Sequence, residues 1–100
     1  MKAMRPSEVL EQHRQAIREA TKRFNAANPR VFGSVARGED RVDSDLDILV
    51  DALPGATLLD LGGLLDELEQ MMLGTPIHLM IPGDFPEDVR RRVLEEAKPI

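Results

Sequence analysis

The chain has 100 residues, no cysteine, three aromatic residues and a formal charge of −5. At that length one domain over residues 1–100 is expected, with one modest core, since roughly 65% of the unfolded surface is buried at this size. Lack of cysteine excludes a disulfide framework, a zinc knuckle and a thiol nucleophile; two histidines, His13 and His78, exclude a His-rich metal site; and eighteen acidic against thirteen basic residues count against nucleic acid as a partner.

With neither Trp nor Tyr, stacking platforms for single strands are missing as well. No apolar run approaches the ~18–20 residues of a membrane span. Residues 1–15 are polar and charged, without a signal-peptide core. The expected location is the cytoplasm, with no membrane contact.

The first helix is predicted over residues 7–27. Ser7 is its expected N-cap, Leu10, Ile17 and Phe24 repeat every seven residues along it, and Asn28-Pro29 stops it. Arg30, Val31 and Phe32 form a short strand that ends at once in Gly33-Ser34. Residues 35–37 make one helical turn closed by Gly38, and 39–44 a polar loop. Residues 45–50 alternate as a strand, with Leu46, Ile48 and Val50 on one face and Asp45, Asp47 and Leu49 on the other. A second long helix covers 58–73. Thr57 and Asp60 are placed as a capping box, Leu61, Leu64, Leu65, Leu68, Met71 and Met72 supply the apolar stripe, and Gly74 is the stop. Residues 76–81 form a third strand. Asp84 and Glu87 read as a capping box for a last helix to residue 98, which buries Val89, Val93, Leu94 and Ala97. The order α-β-α-β-α-β-α predicts an α/β domain with helices on one face of a small sheet. Asp45, Asp47 and His78 fall on the other face.

Two carboxylates at Asp45 and Asp47, two residues apart on a strand, leave the same face about 6–7 Å apart. Like charges held that close call for a positive partner, and a divalent oxygen-seeking cation suits them. Gly33 allows close backbone approach, the Ser34 hydroxyl can hold phosphate oxygens, and Arg37 is a candidate phosphate contact. A phosphate cradle beside a carboxylate pair is the minimum equipment for nucleotidyl transfer. Other readings fail. Gly33 and Gly38 are followed by Glu39-Asp40 rather than Lys-Ser/Thr, so this is no Walker A loop. Asp43, Asp45 and Asp47 start like an EF-hand, but Ile48 and Pro54 stand where its Gly and Glu are required. His13, Met71 and Met72 read as ordinary helix-face and core residues, and Arg90, Arg91 and Arg92 as a solvated face.

The whole string, an apolar residue, Gly33-Ser34, a ten-residue spacer, then Asp45-Leu46-Asp47-Ile48, resembles the signature of the DNA polymerase β-type nucleotidyltransferase superfamily. More narrowly, Gly33-Ser34-Val35-Ala36-Arg37-Gly38 followed by Ser44-Asp45-Leu46-Asp47-Ile48-Leu49-Val50 is similar to the minimal nucleotidyltransferases, and residues 90–97 are similar to their C-terminal helix. The resemblance covers nearly the whole chain. It implies the nucleotidyltransferase fold, with a small mixed β-sheet, and an antitoxin that transfers AMP from ATP to a hydroxyl of a HEPN-domain toxin in a hetero-oligomer. It implies that Gly33 and Ser34 hold the triphosphate and that the catalytic Asp45 and Asp47 bind Mg²⁺, with Mn²⁺ as the alternative ion. A third carboxylate stands on the next strand in most of the family; here that position is His78, a candidate base. An antitoxin that neutralises its toxin by binding alone is the alternative reading. A small-molecule acceptor ranks last, because 100 residues leave little room to grip one.

Overall fold

A computed structural model describes residues 3–100. Helix α1 runs Pro6–Arg23, strand β1 Ala26–Phe32, the short helix α2 Gly33–Arg37, β2 Leu46–Ala52, α3 Leu58–Met71, β3 Ile77–Met80, α4 Glu87–Glu96 and β4 Lys98–Pro99, with a 3-10 turn at Pro82–Asp84. The sheet order is β3-β2-β1-β4. Strand β2 pairs antiparallel with β1 and parallel with β3, and β4 pairs antiparallel with β1. This is a mixed α/β fold, as the sequence predicts.

The apolar stripes meet where the periodicity places them. Leu10, Ile17 and Ala20 of α1 and Leu64 and Leu68 of α3, with Met72 just beyond it, pack on Val31, Leu46, Ile48, Val50 and Ile77 of the sheet. The opposite face is not open along its length. Leu49, expected there beside the two aspartates, is fully buried. The segment after β3 covers that end: the Phe85 ring stands edge-on to Phe32 at 5.8 Å, and Leu94 of α4 lies beside Arg30 and Asp51. Helix α4 buries none of its side chains fully, and Leu94 is 46% exposed rather than buried as its spacing suggests.

Several boundaries depart from the sequence expectation. Helix α1 stops at Arg23, and Asn25 turns the chain with φ +57°. Asn28 also adopts positive φ, which Asn tolerates, and lies in a register shift between Ala27 and Arg30. The Asn28-Pro29 pair therefore bulges a strand instead of ending a helix. Ser7 is not the N-cap of α1. Arg5 holds that position, and Asp40 accepts the Ser7 backbone N–H at 2.9 Å from 33 residues away. Asp84 caps the 3-10 turn through the Ile81 N–H, not α4. Residues 97–98 leave the last helix, and Lys98 and Pro99 become an edge strand that the sequence reading lacks. Among the described residues no helix is long and apolar enough to cross a membrane.

Candidate active site

The site forms where β1, β2 and β3 present the same end of the sheet. Phe32 opposes Asp47 on the antiparallel side, and His78 opposes Asp47 on the parallel side. Cross-strand partners point to one face, so the register alone delivers His78 to the aspartates. Asp45 lies one residue before β2, where the Leu46 N–H is tied to the Pro76 carbonyl.

His78 bridges the pair. Its Nδ1 lies 3.1 Å from Asp47 Oδ1, and its Nε2 lies 3.4 Å from Asp45 Oδ2. Burial pushes the Asp47 carboxyl above the usual range, and the nearby Asp45 charge adds to this; His78 and Arg37 oppose it without cancelling it. Asp45 and His78 are more open, with side chains 43% and 59% exposed against 20% for Asp47.

The Gly33-Ser34 turn closes on the same carboxylate. Gly33 has φ +69°, and a Cβ there would sit on Asp47 Oδ2, deep inside van der Waals contact. Glycine is required here for two reasons, conformation and space. The turn continues as α2 and ends at Gly38 in the left-handed region, with φ 71°.

A residue the sequence reading did not single out enters from α4. Glu96 accepts the Gly33 N–H through Oε2 at 2.7 Å and the Arg37 guanidinium through Oε1 at 2.6 Å. Burial raises its carboxyl pKa, but the Arg37 and Gly33 hydrogen bonds outweigh that and hold it below the usual range. Arg37 is paired twice, its Nε donating to Glu39 Oε1 at 2.6 Å. The only sequence signal for Glu96 was the similarity of residues 90–97 to a family helix, which does not tell Glu95 from Glu96. His13 stays apart, its Nδ1 against the Val9 carbonyl.

Asp45, Asp47, His78, Gly33 and Ser34 thus share one small region, and Arg37 borders it through Glu96. The chain matches the nucleotidyltransferase domain over residues 10–100. It belongs to that family. Protein adenylyltransferase MntA of Thermococcus cleftensis is 36% identical over 89 residues, covering 89% of this chain and 86% of the relative. A solved structure assigned as a minimal nucleotidyltransferase superposes with a TM-score of 0.84 at 41% identity, covering 94% of this chain and 95% of that one. A toxin–antitoxin structure with AMP-PNP superposes with a TM-score of 0.69 at 20% identity, over 85% of this chain and 69% of that one; the likeness there is one of fold.

The donor set fits a hard divalent ion. Among the described residues no three acidic or imidazole side chains converge as a complete cage. Mg²⁺ needs no such cage: it is commonly held by one or two carboxylates with substrate phosphates and water. Asp45 and Asp47 supply two partly exposed carboxylates, and Asp47 lies directly against a turn that lets backbone approach closely.

Proposed function

We propose that the chain transfers AMP from ATP to a hydroxyl on a partner protein, in the cytoplasm, as the antitoxin of a HEPN toxin with which it forms a hetero-oligomer. The observation that carries this reading is the contact between Gly33 and Asp47, which joins a phosphate-type turn to a carboxylate pair on a nucleotidyltransferase-domain chain. The similarity to a protein adenylyltransferase supports the choice of a protein acceptor.

In this reading Gly33 and Ser34 hold the phosphates of ATP, and Asp45 and Asp47 hold Mg²⁺ or Mn²⁺. An ion held there would supply positive charge against the negative charge that builds on the phosphates in the transition state. The acceptor oxygen attacks the α-phosphorus and forms a new P–O bond. The bond from that phosphorus to the oxygen bridging the α- and β-phosphates breaks, and pyrophosphate departs with the electron pair. The hydroxyl proton passes to His78, whose ring Asp47 orients at 3.1 Å. Arg37 borders the phosphates and contacts them only by sharing its guanidinium with Glu39 and Glu96.

The test is an intact-mass measurement on the partner after incubation with the protein and ATP, with Mg²⁺ or Mn²⁺. A gain of one or more AMP units is expected with the wild type and none with Asp45→Asn. No gain with the wild type under either ion would refute transfer. A second reading, neutralisation by contact alone, is favoured by one observation: His78, not a carboxylate, faces Asp45 and Asp47. It predicts that an Asp45→Ala, Asp47→Ala double variant still silences the toxin.

A further inference from the structure

We propose that Glu96 is a positioning residue for nucleotide binding, holding the Gly33-Ser34 turn in its working shape and aiming Arg37 across it. The inference rests on the nucleotide reading of that turn. Its evidence is geometric. One carboxylate spans two residues that the sequence assigns to the phosphates, with Oε2 on the Gly33 N–H and Oε1 on Arg37 Nη1.

Gly33 is the most constrained position in the site. Its φ is positive, and its α-carbon is pressed towards Asp47. A turn in that conformation keeps its shape only if neighbours hold it. Phe32 fixes the turn on one side through pairing with Asp47, and Glu96 takes the N–H that the turn itself leaves unpaired. Without Glu96 that N–H loses a charge-assisted bond, and Arg37 keeps only Glu39, an exposed partner two residues away.

The helix that delivers Glu96 is fastened for the purpose rather than buried. Helix α4 has no fully buried side chain. Arg90 ties its first turns to the carbonyls of Pro82 and Phe85, both at 2.9 Å. At the other end Lys98 and Pro99 pair with β1, and the Ile100 N–H donates to Pro29. Glu96 lies between these fastenings, one turn from the sheet edge. The opposite role, a carboxylate plug that competes with the phosphates, uses the same contacts and predicts the opposite sign.

The experiment compares the wild type with Glu96→Ala, Glu96→Gln and the exposed neighbour Glu95→Gln. Calorimetry reads the Kd for AMP-PNP with Mg²⁺, thermal unfolding reads stability, and NMR reads the Gly33 amide. Glu96→Ala is expected to weaken AMP-PNP roughly tenfold, the scale of losing one charge-assisted contact, and to move the Gly33 amide proton upfield before nucleotide is added. Glu96→Gln keeps an oxygen for the Gly33 N–H and is expected to recover part of the affinity, to about threefold below the wild type. Glu95→Gln is expected to bind as the wild type does. Unchanged affinity in folded Glu96→Ala, or in Glu96→Gln if the alanine variant does not fold, overturns the proposal and leaves a structural contact. Tighter binding overturns it in favour of the plug. A wild type that does not bind AMP-PNP refutes the nucleotide reading and this inference together, whereas a wild type that binds like its Glu96 variants refutes the inference alone.

Discussion

Replacing Gly33 with Ala tests how the site is built, and Gly38 provides an internal reference. Both glycines have nearly the same backbone, φ +69° and +71°. They differ in what a Cβ would meet: Asp47 Oδ2 at Gly33, nothing within 4 Å at Gly38. Gly38→Ala therefore incurs only the left-handed strain, about 1–2 kcal/mol, offset by roughly 0.4–1 kcal/mol because alanine restricts the unfolded chain. A net loss of about 1 kcal/mol lowers Tm by about 4–8 °C in a domain of this size. Gly33→Ala carries the same strain plus a collision that drives Asp47 off its rotamer or shifts the turn, on the order of 1–3 kcal/mol more. The total of about 3 kcal/mol corresponds to roughly 12–24 °C. Thermal unfolding followed by circular dichroism reads both. Adding Asp47→Ala completes a double-mutant cycle: it should restore most of the excess loss in Gly33→Ala and nothing in Gly38→Ala. Equal losses for the two glycines, or no rescue by Asp47→Ala, would refute the reasoning.

The remaining predictions address stability and charge. Asp40 is buried, and the backbone and hydroxyl of Ser7 hold its carboxyl below the usual range against the burial that raises it. A depressed carboxyl stabilises fully above its unfolded pKa, about 3.9, and that stability is lost as pH falls through the lower folded value. Asp40→Asn should thus cost about 1–2 kcal/mol at pH 7, with the gap in Tm closing as melts are taken down towards acid. Asp47 has the opposite sign: its raised carboxyl means the fold disfavours its charge at neutral pH. Asp47→Asn should raise Tm at pH 7 while abolishing the proposed AMP transfer, and the gain in Tm should vanish below the ordinary aspartate pKa; a lower Tm at pH 7 would contradict this. On α3 two adjacent glycines should respond oppositely. A Cβ at Gly62 meets nothing within 4 Å, so Gly62→Ala should stabilise by roughly 0.5–1 kcal/mol. A Cβ at Gly63 would come within 2.6 Å of the Phe24 ring, so Gly63→Ala should lower Tm in the same unfolding assay.

What was legible in the sequence was local chemistry. The Thr57 and Asp60 capping box forms as read, each side chain taking the other's backbone N–H, at 2.9 and 3.3 Å. The alternation of Leu46, Ile48 and Val50 gives the core face of β2, and it puts Asp47 on the other face with His78. What was not legible depends on partners distant in the chain. Ser7 resembles a cap because its side chain is right, but Arg5 starts the helix and Asp40 reaches in to cap it. Asn28-Pro29 carries a strong stop signal, yet β1 continues through it because Asn28 bonds Asp51 across the bulge at 2.8 Å. Strand β4 has only two residues, and no pattern that short announces itself; it exists because β1 has an edge for it. Glu96 was hidden for the same reason, since Gly33 lies 63 residues earlier in the chain.

The ring of His78 between two carboxylates has a consequence for the protein at rest. Asp45 and Asp47 stand side by side whether or not a substrate is present, and a third carboxylate at that register position would leave their repulsion to be met from outside the chain. An imidazole instead places one ring nitrogen near each of them from within the chain. Both carboxylates thus have a ring nitrogen beside them before any ion or nucleotide arrives, and the ring itself, more than half exposed, stays open to whatever approaches the site. Part of the order of the site therefore resides in a single side chain opposite Asp47.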